Sequence, residues 1–288
     1  MTAAARSPRP LLAIDGDSLA HRAYHALPKT IRRAEGKPSG AIVGFTNMLM
    51  RLWDDERPRA ILVGWDSLGV PTYRHQAFEG YQAGRTFDDA LLEQLDLLPS
   101  LAESFGFACA KAAGYEADDF LAAAVAVEEK RGGSVVVATS DRDSFQLASE
   151  RTTIVQPVRG VSELTRIGPA EVRERYGVEP AQVADFIALR GDPSDRLPGA
   201  PGVGPKKASD LLRQYGSLEE ALAAGRFAAQ AEELRLYRRI ATLDASAPLP
   251  ALEDQTPAWA EASSLLRSLG MNALADRVAA RQPPSETG

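Results

Sequence analysis

Nine carboxylates in five clusters are the residues of this chain best placed to do chemistry. They are Asp15 in LLAIDGD, Asp66 in ILVGWDS, Glu116, Asp118 and Asp119 in GYEADDF, Asp141 and Asp143 in VVVATSDRDS, and Asp192 and Asp195 in RGDPSDRLPG. Asp15, Asp66 and Asp141 each follow an apolar run that reads as a buried strand. In open α/β sheets, ligands bind in the crevice outside the carboxyl ends of the strands. Acids far apart in sequence are therefore expected to meet at one sheet edge. So many carboxylates at close quarters repel and take up protons unless cations neutralise them. Oxygen-coordinated Mg²⁺ or Mn²⁺, two or more ions, is the matching partner. Two such ions about 3.5–4 Å apart would stabilise in-line displacement at phosphorus, one activating water and the other neutralising the leaving oxygen. That chemistry needs neither a Ser nor a Cys nucleophile.

Each cluster has a plainer reading when taken alone. Glu116 and Asp119 stand three apart at an expected helix start and can share a face, while Asp118 reaches that face only from the cap. The same acids would also suit the positive end of any helix dipole. Asp141 and Asp143 alternate along an extended segment, where residues two apart share a face. Asp192 and Asp195 in GDPSD would pass as turn acids. The joint order is what argues for a site: an acid at one strand end, another at a second, a triplet, then two pairs.

GAPGVGPKKASDLL carries a second signal. Gly202, Val203 and Gly204 make a tight turn before a helix whose first turn holds Lys206 and Lys207. Backbone N–H groups at a helix start bind phosphate, and glycines allow close approach. Lysines there oppose the dipole, which points to an external anion. The plainer alternative is an interhelical turn with solvated lysines. A hairpin of this kind reads backbone rather than bases.

These residues need elements to hold them. PLLAID, AILVGWD, FACAKA and VVVAT read as strands. SLAHRAYHAL, GAIVGFTNMLMRLW and a stretch near 118–130 read as helices. The alternation predicts a mostly parallel sheet flanked by helices over 1–160. The segment SLGVPTYRHQAFEGYQAGRTFDD lacks sustained periodicity and is long for a plain connection. From 161 to 280 the pattern is almost wholly helical, through PAEVRERYG, AQVADFIALRG, KKASDLLRQYG, SLEEALAAG, AEELRLYRRIATL and SSLLRSLG. Residues 281–288 read as a disordered tail.

Composition sets limits. The chain has 288 residues, 44% of them hydrophobic, which allows one large domain or one with an appendage. No apolar run approaches the ~20 residues of a membrane span, and MTAAARSPRP lacks an apolar signal core. The expectation is a cytoplasmic protein with no membrane role. One cysteine excludes an intramolecular disulfide, and three scattered histidines do not suggest a zinc site. The net charge of −6 would argue against a nucleic-acid partner. With the nine acids set aside, 30 remain against 33 Lys plus Arg, so charge decides nothing.

The motifs AIDGDSLAHRAYHAL, VGWDS, TYRHQAFEGYQAGR, GYEADDFLA, ATSDRDSFQL and ALRGDPSDRLPGAPGVGPKKASDLL follow one another from about 11 to 250. In that order they resemble the 5′-nuclease (flap endonuclease) family, most of all the nuclease domain of bacterial DNA polymerase I. The resemblance implies a PIN-like α/β core, a helical arch at about 68–100, and a helix–three-turn–helix DNA clamp. It implies hydrolysis of 5′ flaps, nicks and RNA-primer ends in replication and repair, by a nucleoid-associated and monomeric enzyme. It assigns the nine carboxylates to metal ions and Arg74, Gln82 and Arg85 to catalysis from the arch region. Tyr81 and the 202–207 turn fall to DNA. Two positions depart from the pattern. Gln82 stands where relatives usually carry a phosphate-contacting lysine, so Arg85 is expected to take more of that role. Arg196 stands where Asn is common. The chain ends where a polymerase would begin, which suggests a stand-alone nuclease.

Competing readings are a haloacid-dehalogenase-type phosphatase, with Asp15 as nucleophile and Asp17 as acid, and a catalytically silent binder of branched DNA. The first leaves Asp66, EADD and the GVG turn unexplained; the second has only Gln82 in its favour. A PIN-type ribonuclease would share the core chemistry without needing arch or clamp.

Overall fold

The computed structural model describes residues 9–84, 86–159 and 163–281. The chain begins with β1 (Leu11–Asp15), α1 (Gly16–Ala26), α2 (Gly40–Glu56) and β2 (Ala60–Gly64). Three short helices follow, α3 (Tyr73–Ala77), α4 (Asp89–Leu95) and α5 (Leu98–Ser104). After them come β3 (Ala108–Ala110), α6 (Ala117–Lys130) and β4 (Val135–Ala138). Next are β5 (Thr152–Arg159), β6 (Glu163–Ile167), α7 (Pro169–Tyr176), α8 (Val183–Arg190), α9 (Pro205–Tyr215) and α10 (Leu218–Ala223). The described part closes with α11 (Ala231–Ala241), α12 (Trp259–Ser268) and α13 (Asn272–Ala279).

The six strands form one sheet in the order β3-β2-β1-β4-β5-β6, parallel except for β6. Every residue of β1, β2 and β4 is buried, which is why these strands read as unbroken apolar runs. Alternate residues feed two cores. Leu11, Ala13, Leu62 and Val137 pack with α6, α8, α9 and α11, while Leu12, Ile14, Val63 and Ala138 pack with α1, α2, α5, α12 and α13. Strand order reverses between β1 and β4, and the register pairs Asp15 with Gly64 and Ile14 with Ala138. The carboxyl ends of β1, β2 and β4 thus lie level, and the residues just beyond them share one edge.

Three features differ from the sequence expectation. The sheet continues past 160: β5 runs from Thr152 and β6 ends at Ile167, where an almost wholly helical pattern was expected. Strand β6 pairs at the edge and buries only Ile167, so its sequence carries little apolar alternation. Where a helical arch was expected, residues 68–100 supply the short helices α3 and α4 and part of α5, joined by irregular chain among the described residues. Finally, Arg281 is tied to Asp54 at 2.6 Å instead of starting a loose tail. The remainder of that expected tail, 282–288, lies outside the described residues.

Candidate active site

A cleft of about 480 Å³ opens at this sheet edge. Five of the nine predicted acids line it, namely Asp15, Asp66, Glu116, Asp118 and Asp141. Asp15 ends β1 and caps α1, accepting from Ser18 N–H at 2.9 Å and from Thr139 Oγ1 at 2.8 Å. Burial, helped by the Asp66 charge, pushes its carboxyl up to about 7. Asp66 accepts from Ala117 N–H at 2.8 Å, which fixes the end of β2 against the start of α6. Asp141 is exposed at the rim, and its Oδ1 accepts from Asp143 N–H at 3.0 Å.

The acidic triplet divides into three roles. Glu116 caps α6 and receives Thr72 Oγ1 at 3.0 Å and Tyr81 OH at 2.8 Å. Its carboxyl is raised by burial, against the lowering effect of Arg74. Burial also raises the Tyr81 hydroxyl, which keeps it a donor. Asp118 has a buried Oδ1 with no hydrogen-bond partner, and burial holds its carboxyl well above the usual range despite Arg74 nearby. Asp119 does not face the cleft. It is fully buried, and both of its oxygens accept from Arg74, at 2.8 and 2.9 Å. It also accepts from Asp244 N–H at 2.8 Å and Glu116 N–H at 3.0 Å.

Arg74, expected to face substrate from the arch region, is placed beneath the site with 2% exposure. Burial opposes its charge, but Asp118, Asp119 and Glu116 outweigh that and raise its pKa. Its Nε donates to Ile240 O at 3.0 Å, so the same guanidinium joins α11 to the triplet.

The remaining acids sit on the α8–α9 side. Asp143 is buried, and burial together with Asp141 and Asp195 raises it well above the carboxylate range. Asp192 bonds Arg190 Nη2 at 3.0 Å and Ser194 N–H at 2.8 Å. Asp195 is pushed up to about 6, mainly by burial, and receives Gln82 Nε2 at 3.0 Å. Gln82 lines the cleft in a left-handed backbone, φ 46°, and also donates to Tyr81 OH at 2.9 Å. Arg196 is left-handed too, φ 57°, a conformation that Asn adopts more readily than Arg. Arg85 lies outside the described residues.

The expected turn forms as Gly202 at φ 69°, buried Val203, and Gly204 as the cap of α9. Lys206 and Lys207 are exposed in its first turn, with Lys207 Nζ 3.3 Å from Gly202 O. Sequence reasoning assigned the cleft neither Asp17, His21 nor His25, all of which line it. Their spacing of four from the end of β1 puts them on one face of α1, a signal that was available. Asp17 accepts from Asp66 N–H at 2.7 Å, and burial holds its carboxyl well above the usual range. Among the described residues no group of three or more acids or histidines closes around a single point as an ion cage would.

A doubly wound sheet with acids gathered at its switch point defines an α/β protein with an acidic ligand crevice at the strand ends, and comparison makes that class specific. Residues 10–177 match the 5′-3′ exonuclease N-terminal resolvase-like domain, and residues 178–262 match the 5′-3′ exonuclease C-terminal SAM fold. The chain belongs to the 5′-3′ exonuclease family. It is 43% identical over 211 residues to DNA polymerase I of Mycobacterium leprae, covering 73% of this chain and 23% of that protein. It is 33% identical over 283 residues to DNA polymerase I of Bacillus subtilis, covering 93% of this chain and 32% of that one. The chain therefore spans between about a quarter and a third of these relatives. In fold it resembles the T5 flap endonuclease solved with DNA and metal ions, with TM-score 0.69, 18% identity, and coverage of 95% of this chain and 100% of that one. It also resembles flap endonuclease-1 from Methanococcus jannaschii, with TM-score 0.62, 15% identity, and coverage of 95% and 92%. Among the described residues no helix is long and apolar enough to cross a membrane.

Proposed function

We propose that the chain hydrolyses phosphodiesters at the 5′ ends and 5′ flaps of nicked or branched DNA, RNA-primer junctions included, with Mg²⁺ or Mn²⁺ bound in the acidic cleft. One observation carries this reading: acids from three strand ends and one helix start share a single cleft, and one of their oxygens, Asp118 Oδ1, is buried with no hydrogen bond and only the Arg74 guanidinium 3.5 Å away. The donors fit a hard cation in kind, since all are carboxylate oxygens. Asp15, Asp66, Glu116, Asp118 and Asp141 would hold the ions, with Asp143, Asp192 and Asp195 behind them. Such ions supply charge neutralisation and an activated water for in-line attack.

The chain's own groups do the positioning. Tyr81 and Thr72 orient Glu116, and Ala117 N–H orients Asp66. Gln82 holds Asp195 from the opposite wall, so the 68–100 segment and the α8–α9 turn approach each other across the site. The turn at 202–207 would grip duplex phosphates without reading bases. Polymerase activity, a feature of the longer relatives' name, is no part of this proposal.

A 5′-labelled flap duplex incubated with protein and Mg²⁺, beside single-stranded and blunt controls, tests the reading. Release of the flap near the junction is expected. Tight flap binding without cleavage would instead favour the silent DNA-binding alternative. The phosphatase reading has lost its ground, because its motif is part of the 5′-3′ exonuclease match.

A further inference from the structure

Two consecutive residues of the chain line the acidic cleft and a second pocket of opposite sign. Asp141 lines the cleft, and the next residue, Arg142, lines a pocket of about 420 Å³ with Arg175, Tyr176, Arg190, Lys206 and Ser209. Four cationic side chains face this space, and no carboxylate is among the described residues that line it. They come from four places: the loop after β4, the last turn of α7, the last turn of α8 and the first turn of α9. Arg175 and Arg190 also suit the negative ends of their own helices, a sufficient reason for basic residues there. Lys206 has no such reason, since a first turn disfavours cations.

Arg190 is already ordered without being satisfied. Its guanidinium stands over Tyr176 and Phe186, 5.7 and 5.3 Å from the ring centroids, and Nη2 bonds Asp192 at 3.0 Å. Its Nε is buried with no hydrogen-bond partner. Arg175 lies over Phe145 at 5.8 Å, and both Arg142 and Arg175 are exposed. Tyr176 has its hydroxyl raised by burial, so it remains protonated and able to donate. The Asp192 carboxylate pairs with Arg190, and an oxyanion would supply further negative charge and acceptors to the converging cations and their spare donors.

The geometry points to a seat for one backbone phosphate of the DNA, placed beside the cleft that takes the scissile phosphate, fixing how far the duplex is drawn in before the cut. This rests on the nuclease reading and extends it beyond the 202–207 turn to Arg142, Arg175 and Arg190. Adjacent Cα atoms are about 3.8 Å apart, and nucleotides rise about 3.4 Å along one strand. Side chains leaving neighbouring residues toward opposite sides can therefore hold phosphates only a few nucleotides apart. The seat contacts backbone alone, so it sets register without sequence preference.

The test uses the full chain and a set of 5′-flap duplexes, each with one phosphate replaced by an uncharged methylphosphonate. Affinity is measured in Ca²⁺ and product length in Mg²⁺. Wild-type protein is expected to lose affinity sharply at one position, a few nucleotides into the duplex from the cut. An Arg142→Ala/Arg175→Ala variant should bind every duplex more weakly, with a salt slope reduced by about one per lost contact. It should show no extra loss at that position, and its products should spread in length. Arg142→Lys should keep the position-specific loss. Melting curves for each variant guard against unfolding, and both residues are exposed. Unchanged affinity with the same sensitive position in the double variant overturns the phosphate seat. Failure of wild-type protein to cut any flap, with the binding profile intact, sinks the nuclease reading alone.

Discussion

Asp118 keeps one buried oxygen without a hydrogen-bond partner, while Asp119, the next residue, commits both of its oxygens to Arg74. The two should respond differently to the same change. Asp118→Asn removes a charge from the cleft and is expected to abolish single-turnover flap cleavage, while DNA binding and melting temperature stay near wild type. Asp119→Asn leaves Arg74 buried with half its pairing lost and should destabilise the fold, by roughly 3–5 kcal/mol if the pair behaves as buried pairs do. Urea titration together with the cleavage assay separates these outcomes. Equal stability for both variants would refute the division of roles. A second expectation follows from Asp15, whose carboxyl is held at about 7 against an ordinary 3.8. Folding binds this proton more tightly than the unfolded chain does. The associated stability is therefore present below about pH 4 and is lost as pH rises toward 7, by on the order of 4 kcal/mol. Melting temperature in EDTA should fall over that range, and Asp15→Asn should flatten the slope. An EDTA profile that rises steadily from pH 4 to 7 and is unaffected by Asp15→Asn would refute this assignment.

At the scale of elements, α9 and its entry turn are built to present backbone. Gly202 takes a left-handed φ of 69°, Val203 is buried as the anchor, and Gly204 caps the helix without a side chain. The two exposed lysines then stand at the helix start. Lys206→Ala/Lys207→Ala should weaken duplex binding alike at all sequences and lower the salt slope by roughly one unit per lost phosphate contact. Unchanged affinity and slope in a salt titration would make these lysines a solvated helix face. This turn was legible in the sequence because glycine and proline act locally, and β1, β2 and β4 were legible because burial on both faces leaves nothing but apolar residues. Other elements were not. Strand β6 is an edge strand with one buried residue, and β5 carries Gln156 and Pro157 within its run. In the site, the acids at strand ends could be read off because topology alone gathers them. The burial of Arg74 could not, since it depends on α11 closing over α3 through Ile240 O, 166 positions away.

At the scale of the molecule, the chain doubles back. After the helices that cover one sheet face with α8, α9 and α11, α12 and α13 cross to the other face and complete the core begun by α1, α2 and α5. Trp259 packs edge-on against Phe105 and Trp53, with centroids 5.7 and 6.4 Å away, and Leu266 and Val278 are fully buried. Gln255 ties the approach to β2, its Oε1 accepting from Ile61 N–H at 2.7 Å. The last two helices are thus part of the sheet's own hydrophobic closure, although nearly a hundred residues separate them from β6. Leu266→Ala should leave a cavity in this layer and cost about 2–5 kcal/mol. The cleft lies at the sheet's carboxyl edge and includes no residue of α12 or α13, so cleavage rate and flap affinity at a temperature where the variant stays folded should match wild type. Urea unfolding followed by tryptophan fluorescence measures the loss directly. A Leu266→Ala protein as stable as wild type would mean that α12 and α13 only rest on the core, whereas a stable variant slow in cleavage would mean that this layer sets the position of the strand ends.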